Sequence, residues 1–282
     1  MYHSFATTKH HFLQTTERGH FLIAEPRKSL VTLSARKEMI YQQISTPNIF
    51  TDTGNNDKGE NTFTLSSSRS GPFARYTVID DIEQGSNSIV KHCVDDSDHH
   101  VILKAIKAYD NNPLNQLITE IAYQQIASDV APKIIRYGVG NVIFNLPSFE
   151  FLGTEMLFIM MEYRGITLGK YLSLFPSDYA DIRTSVHTVV ASMLATGLKP
   201  LDISAANVVV DQSKHACLID FDPNNTTYDP KTRQQLVTWA KGRAKKDVNG
   251  NSPSRDILRS MYNSVYVEIE EMLQPYNTMI SK

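Results

Sequence analysis

Cysteine is nearly absent from the chain: Cys93 and Cys217 are the only two. That excludes a disulfide framework, and their spacing fits no zinc-ligand pattern, so a reducing, cytoplasmic compartment is the expectation. Excess charge of either sign is missing as well. Lys and Arg number 28 against 30 Asp and Glu, so bulk electrostatics gives no reason to expect a nucleic-acid partner. Long apolar runs are lacking too. The longest, Met156–Met161, falls far short of the roughly 20 residues that cross a bilayer, so no transmembrane segment or signal peptide is expected. What remains is a chain of 282 residues with 41% hydrophobic and 21% charged side chains. That is the composition of a soluble globular protein able to bury a real core.

Patterning divides the chain into three stretches. Residues 1–72 read as an N-terminal extension and polar linker. Within them His20–Ala24 and Ser29–Leu33 have strand character, Arg36–Ile44 has helical character, and Thr51–Gly71 is polar and turn-forming. Over 73–163 the pattern predicts strands at Tyr76–Ile82, Ser88–Val94 and His100–Lys107, with the first two joined through Gly85. Asn112 followed by Pro113 then opens a helix with Leu114, Leu117, Ile118, Ile121 and Ala122 at helical spacing. Short strands are expected at Lys133–Val139 and Val142–Asn145, and a strand buried on both faces at Met156–Glu162. Over 164–282, Ile182, Val186, Val189, Val190, Met193 and Leu194 mark a buried helix ending at Gly197. A hairpin follows at Val208–Asp211 and Ala216–Ile219.

Several polar residues stand out against this background. Lys104 ends the apolar strand Val101-Ile-Leu-Lys, and Glu120 is the only glutamate between it and Glu150. Asp202 and Asn207 frame Asp-Ile-Ser-Ala-Ala-Asn, and Asp220 sits inside the apolar run Cys217-Leu-Ile-Asp-Phe. A buried acid is costly unless it meets a cation. Taken singly, each has a plain alternative: a strand leaving the core for Lys104, a solvated helix carboxylate for Glu120, and loop caps for Asp202 and Asn207.

In series, over Tyr76–Asn224, these residues resemble the protein kinase superfamily. The resemblance implies an α+β, two-lobed protein-kinase-like fold with a small β-rich N-lobe and a reduced helical C-lobe. It implies ATP with Mg2+ or Mn2+ bound in a cleft. Gly85 and Val90 match the glycine-rich phosphate loop, where Glu83 and Ser88 replace the outer glycines. Lys104 would meet the α- and β-phosphates and be held by Glu120, Met161 would be the gatekeeper, and backbone groups of Glu162 and Arg164 would bond adenine. Asp202 would act as catalytic base, with Asn207 and Asp220 as metal ligands.

Departures from the family pattern qualify what it implies. Pro200 and Leu201 replace the usual His-Arg, Ser204 replaces the catalytic-loop lysine, and Asp222 replaces the glycine after Asp220-Phe. No Ala-Pro-Glu follows, and the remaining chain is short. The shortened C-terminal part is similar to minimal kinases of bacterial effectors and some viruses. The leading expectation is therefore an atypical kinase that phosphorylates Ser or Thr on a protein substrate, in the host-cell cytoplasm if it is a secreted effector. Alternatives are a pseudokinase scaffold, a small-molecule phosphotransferase, or AMP transfer. Lys231–Lys246 gathers Lys231, Arg233, Lys241, Arg243, Lys245 and Lys246 without an acid. It reads either as a solvated basic helix end or as a site for a polyanionic activator such as an inositol phosphate.

Overall fold

The computed structural model describes residues 31–44, 48–66, 73–84, 88–107, 113–143, 155–231 and 253–280. They belong to two compact units, Val31–Gly165 with Ile219–Asn225, and Ile166–Leu218 with the chain from Thr226 onward. In the first, helix α1 (Leu33–Ile44) precedes strands β1 (Asn48–Asn55), β2 (Asn61–Ser66), β3 (Phe73–Gln84), β4 (Ser88–Asp95) and β5 (His100–Lys107). Helix α2 (Pro113–Ile126) follows, then β6 (Ile134–Ile143) and β7 (Glu155–Glu162). The seven strands close into a barrel in the order β1-β2-β3-β4-β5-β7-β6. Neighbouring strands are antiparallel except at the seam, where β1 and β6 run parallel with Phe50 opposite Val142.

This closed, barrel-dominated α+β architecture corrects the expectation of a two-lobed protein-kinase-like fold. The finding that overturns it is the closure itself, and two of the closing strands come from the segment read as a linker. A barrel strand needs apolar side chains on its inner face only, so a half-polar sequence suffices. Phe50, Phe63 and Leu65 are fully buried inside, while Thr51 and Thr64, opposite each other in register, share the other face. Their turn is built from Asn56. Its side-chain oxygen accepts the amides of Lys58 and Glu60 at 3.0 and 2.9 Å, and Gly59 takes φ +78°.

Asn48 fastens the parallel seam. Almost fully buried, it accepts a hydrogen bond from Arg136 Nε at 2.8 Å and donates to the Val139 carbonyl at 3.4 Å. Beside it Gly140 makes room for the Phe50 ring, since a Cβ there would stand 2.5 Å from Phe50 Cε2. The ring meets Phe158 edge-on with centroids 5.0 Å apart. The two short strands expected around 133–145 are thus one strand, β6, running through Gly138 and Gly140.

Strand alternation explains why β7 is buried on both faces. Met156, Phe158 and Met160 join the barrel interior with Leu103, Cys93 and Phe63. Leu157, Ile159 and Met161 face a second cluster with Ile40 and Ile44 of α1 and Leu117, Ile118, Ile121 and Ala122 of α2. In β5, Val101, Leu103 and Ala105 point inward, whereas Ile102 and Ile106 pack toward the helices. Lys104 lies between them on that helix-facing side.

The second unit holds β8 (Ile166–Thr167), α3 (Leu168–Leu174), a 3-10 turn at Pro176–Asp178, α4 (Tyr179–Ala195), β9 (Leu198–Pro200), β10 (Val208–Val210), β11 (Ala216–Leu218), β12 (Thr226–Tyr228) and α5 (Pro253–Ile280). Strands pair as β11-β10-β8 and as β12-β9. Helix α4 buries the expected apolar stripe and ends before Gly197, at φ +85°. Helix α5 buries Tyr262, Val265, Ile269 and Leu273 along one side. His187 of α4 accepts at Nδ1 the hydroxyl proton of Tyr262 at 2.8 Å and hydrogen-bonds through Nε2 to Glu270. The strand-like stretch His20–Ala24 lies outside the described residues, and Leu33 opens α1 instead of closing a strand. Among the described residues no helix is long and apolar enough to cross a membrane.

Candidate functional site

Alternation in β5 sends Lys104 toward α2, and the 3.6-residue period sets Leu117, Glu120, Ile121 and Gln124 on one side of that helix. The two side chains therefore meet. Lys104 Nζ donates to Glu120 Oε1 at 2.7 Å and to Asp220 Oδ1 at 3.1 Å. Asp220 comes from the short return Ile219–Asn225, which belongs to the barrel unit. Phe221, almost fully buried, anchors that return. Asp220 itself has φ +64°, a backbone conformation uncommon for a residue with a side chain and better tolerated by Asp than by most. Asn225 Nδ2 donates to its second oxygen at 3.2 Å.

The electrostatics follow from these contacts. Burial pulls the Lys104 pKa down, but the Glu120 and Asp220 carboxylates outweigh it and leave it raised, so the ammonium stays charged. Glu120 is only 3% exposed. Burial pushes its carboxyl up, and Lys104 offsets part of that rise. The side chain of Asp220 keeps 31% of its surface. Lys104 is thus shared by two carboxyl groups, the buried Glu120 and the partly exposed Asp220.

The other expected residues are distributed as follows. Val90 lies opposite Lys104 in the β4–β5 register. Met161 is buried against the helix layer, and Gln124 Nε2 contacts its sulfur at 3.6 Å. The Glu162 amide donates to the Lys133 carbonyl at 3.0 Å, so it is committed within the fold. The Arg164 guanidinium pairs with the Glu162 carboxylate at 3.1 Å. Gly85 and residues 232–246 of the basic stretch lie outside the described residues. In the second unit Asp202 is exposed in the loop before β10, and Asn207 Nδ2 donates to it at 3.5 Å.

No known family model matches the chain, and no curated protein matches its sequence. Among the described residues no three of His, Cys, Asp or Glu are grouped to hold a metal ion. Magnesium does not need such a cage, because it binds through one or two carboxylates together with phosphate and water. Asp220 fits that demand. It is a hard oxygen donor, partly exposed, and its Oδ2 keeps acceptor capacity beyond the bond from Asn225. Asp222, which stands where the family has glycine, accepts the Asn224 amide through Oδ1 at 2.7 Å and shapes the turn. Asn225 was missed because no linear spacing links an amide to the acid it supports. The turn residues Asp222-Pro-Asn-Asn were the available signal.

Proposed function

We propose that the chain is an ATP-dependent phosphotransferase that passes the γ-phosphoryl group to a Ser or Thr hydroxyl of a protein substrate. The observation that carries this reading is the Lys104 ammonium held at once by Glu120 and Asp220. A purely structural lysine is neutralised by one carboxylate. A second carboxylate on the same ammonium, left partly in water, offers a hard oxygen donor that a divalent cation can use. Lys104 uses two of its three N–H donors on these acids, and the third is available to a phosphate oxygen.

In this reading Lys104 binds and orients the α- and β-phosphates, and Glu120 fixes the ammonium in position. Asp220 would hold Mg2+ or Mn2+, which supplies charge neutralisation on the phosphates when bound. Asp202 accepts the proton of the substrate hydroxyl as the new O–P bond forms and the bond to the β-phosphate bridging oxygen breaks, releasing ADP. Backbone groups of Glu162 and Arg164 would take the adenine, the Glu162 amide excepted because it is bonded to the Lys133 carbonyl, and the basic stretch 231–246 would take a polyanion such as an inositol phosphate.

The test is incubation with γ-labelled or α-labelled ATP, magnesium and a mixed protein extract. Label from γ alone, on protein, and its loss in Lys104→Ala and Asp220→Ala, is the expected result. Label from α would mean AMP transfer. Nucleotide binding without any transfer would mean a pseudoenzyme.

A further inference from the structure

Asn225 donates to the Asp220 oxygen that Lys104 does not use, and it is held there by a small turn. The Asn225 amide donates to the Asp222 carbonyl at 2.9 Å, and the Asn224 amide donates to Asp222 Oδ1 at 2.7 Å. These two bonds fold the chain back on itself, so that Asn225 Nδ2 reaches Asp220 Oδ2 at 3.2 Å. Asp220 thus has each oxygen assigned: Oδ1 to a charged donor, Oδ2 to a neutral one.

We infer that Asn225 is a positioning residue for metal-nucleotide binding, acting through Asp220. The inference rests on the phosphotransferase reading above. The direction of the Asp220 carboxylate is set by its side-chain torsions, and the last of these is broad for Asp. Lys104 fixes one oxygen, and a carboxylate tethered by one oxygen can still rotate about its terminal bond. The Asn225 amide removes that freedom. A neutral donor does so without cancelling the charge that attracts a divalent cation, which a second lysine at this position would do. It also takes only one lone pair of Oδ2 and leaves the other for a metal. Partners that orient a ligating carboxylate in this way typically influence metal affinity by about 10–100-fold.

The experiment is calorimetric titration of ATP into the full-length protein over a series of Mg2+ concentrations, repeated with Asn225→Ala and Asn225→Leu. Asn224→Ala, at an exposed neighbouring side chain, serves as the control. The expected result for both Asn225 variants is a rise of about tenfold or more in the Mg2+ concentration giving half-maximal ATP binding. Metal-free ATP binding, which Lys104 governs, should be unchanged, and so should the melting temperature. Mn2+ titration in the presence of ADP should show the same loss without any turnover. Asn224→Ala should match the wild type. Wild-type magnesium dependence in both Asn225 variants would overturn the inference while leaving the phosphotransferase reading intact. Equal weakening of ATP binding with and without metal would overturn it as well, since that marks a general structural role. A wild-type protein that binds no ATP under any condition would sink the phosphotransferase reading and this inference with it.

Discussion

Lys104→Met takes the cation away from Glu120 while keeping an unbranched chain against the strand. Glu120 is 3% exposed, and its partner at 2.7 Å would be gone. The carboxylate must then stay buried and unpaired or take up a proton. Protonation is the cheaper escape and sets an upper bound. Keeping a carboxyl of ordinary pKa about 4.3 neutral at pH 7 costs about 3.7 kcal/mol, at about 1.36 kcal/mol per unit. This lies within the about 3–5 kcal/mol expected for breaking a buried pair from one side. Asp220 adds little, because its side chain remains partly in water and bonded to Asn225. Burial already raises the folded-state Glu120 carboxyl against the pull of Lys104; without Lys104 it rises further, so the variant keeps its stability below the ordinary carboxyl value and loses it as pH climbs. At pH 5 the loss should shrink to about 1 kcal/mol. Urea denaturation followed by far-ultraviolet circular dichroism at pH 5 and pH 7 measures both. Adding Glu120→Leu to Lys104→Met places two apolar side chains beside Leu117, Ile121 and Ile159, and stability should return to within about 1 kcal/mol of wild type. ATP binding should not return. A loss that is the same at both pH values, or below about 1 kcal/mol at pH 7, would refute the account of Glu120 as a buried carboxylate sustained by Lys104.

Three further outcomes are expected. Asp202→Ala should lower turnover by about 10²–10⁴-fold with ATP affinity kept, whereas Asp220→Ala should lose metal-dependent ATP binding itself; equal loss of affinity in both would argue against Asp202 as the base. Gly140→Ala puts a Cβ 2.5 Å from the Phe50 ring at the barrel seam and should cost about 1–3 kcal/mol in urea melts, with Phe50→Leu restoring most of it. Burial lowers the His187 pKa below its ordinary 6.5 despite the pull of Glu270, so the unfolded chain binds more protons and stability should fall as pH drops through about 6.5. His187→Phe should flatten that slope between pH 7 and 5, and an unchanged slope would assign it to another group.

Legibility differed from element to element for definite reasons. The helix α2 and the strands β5 and β7 show their period in ten or so consecutive residues, and each lies close to where the pattern put it. The hairpin β1–β2 did not show. Its inner face needs only Phe50, Phe63 and Leu65, while Thr, Asn and Gly fill the remainder, and a linker has the same look. The single strand β6 was divided in two because its glycines read as breaks, whereas Gly140 is there to admit Phe50.

The strongly periodic elements are written in the chain itself, and so is Asp220 as an acid inside an apolar run, with Lys104 and Glu120 singled out by their order along the chain. Local periodicity and the cost of burying charge act within a few residues and can be read directly. The three-dimensional structure alone shows that β1 pairs in parallel with β6 and closes the strands into a barrel. It also decided that Asp220 reaches Lys104 across 116 positions of chain, and that Asn225 and not Asp222 attends it. Those facts depend on closure between distant segments. The chain carries no local mark of such closure, because its energy resides in contacts that exist only once the barrel has formed.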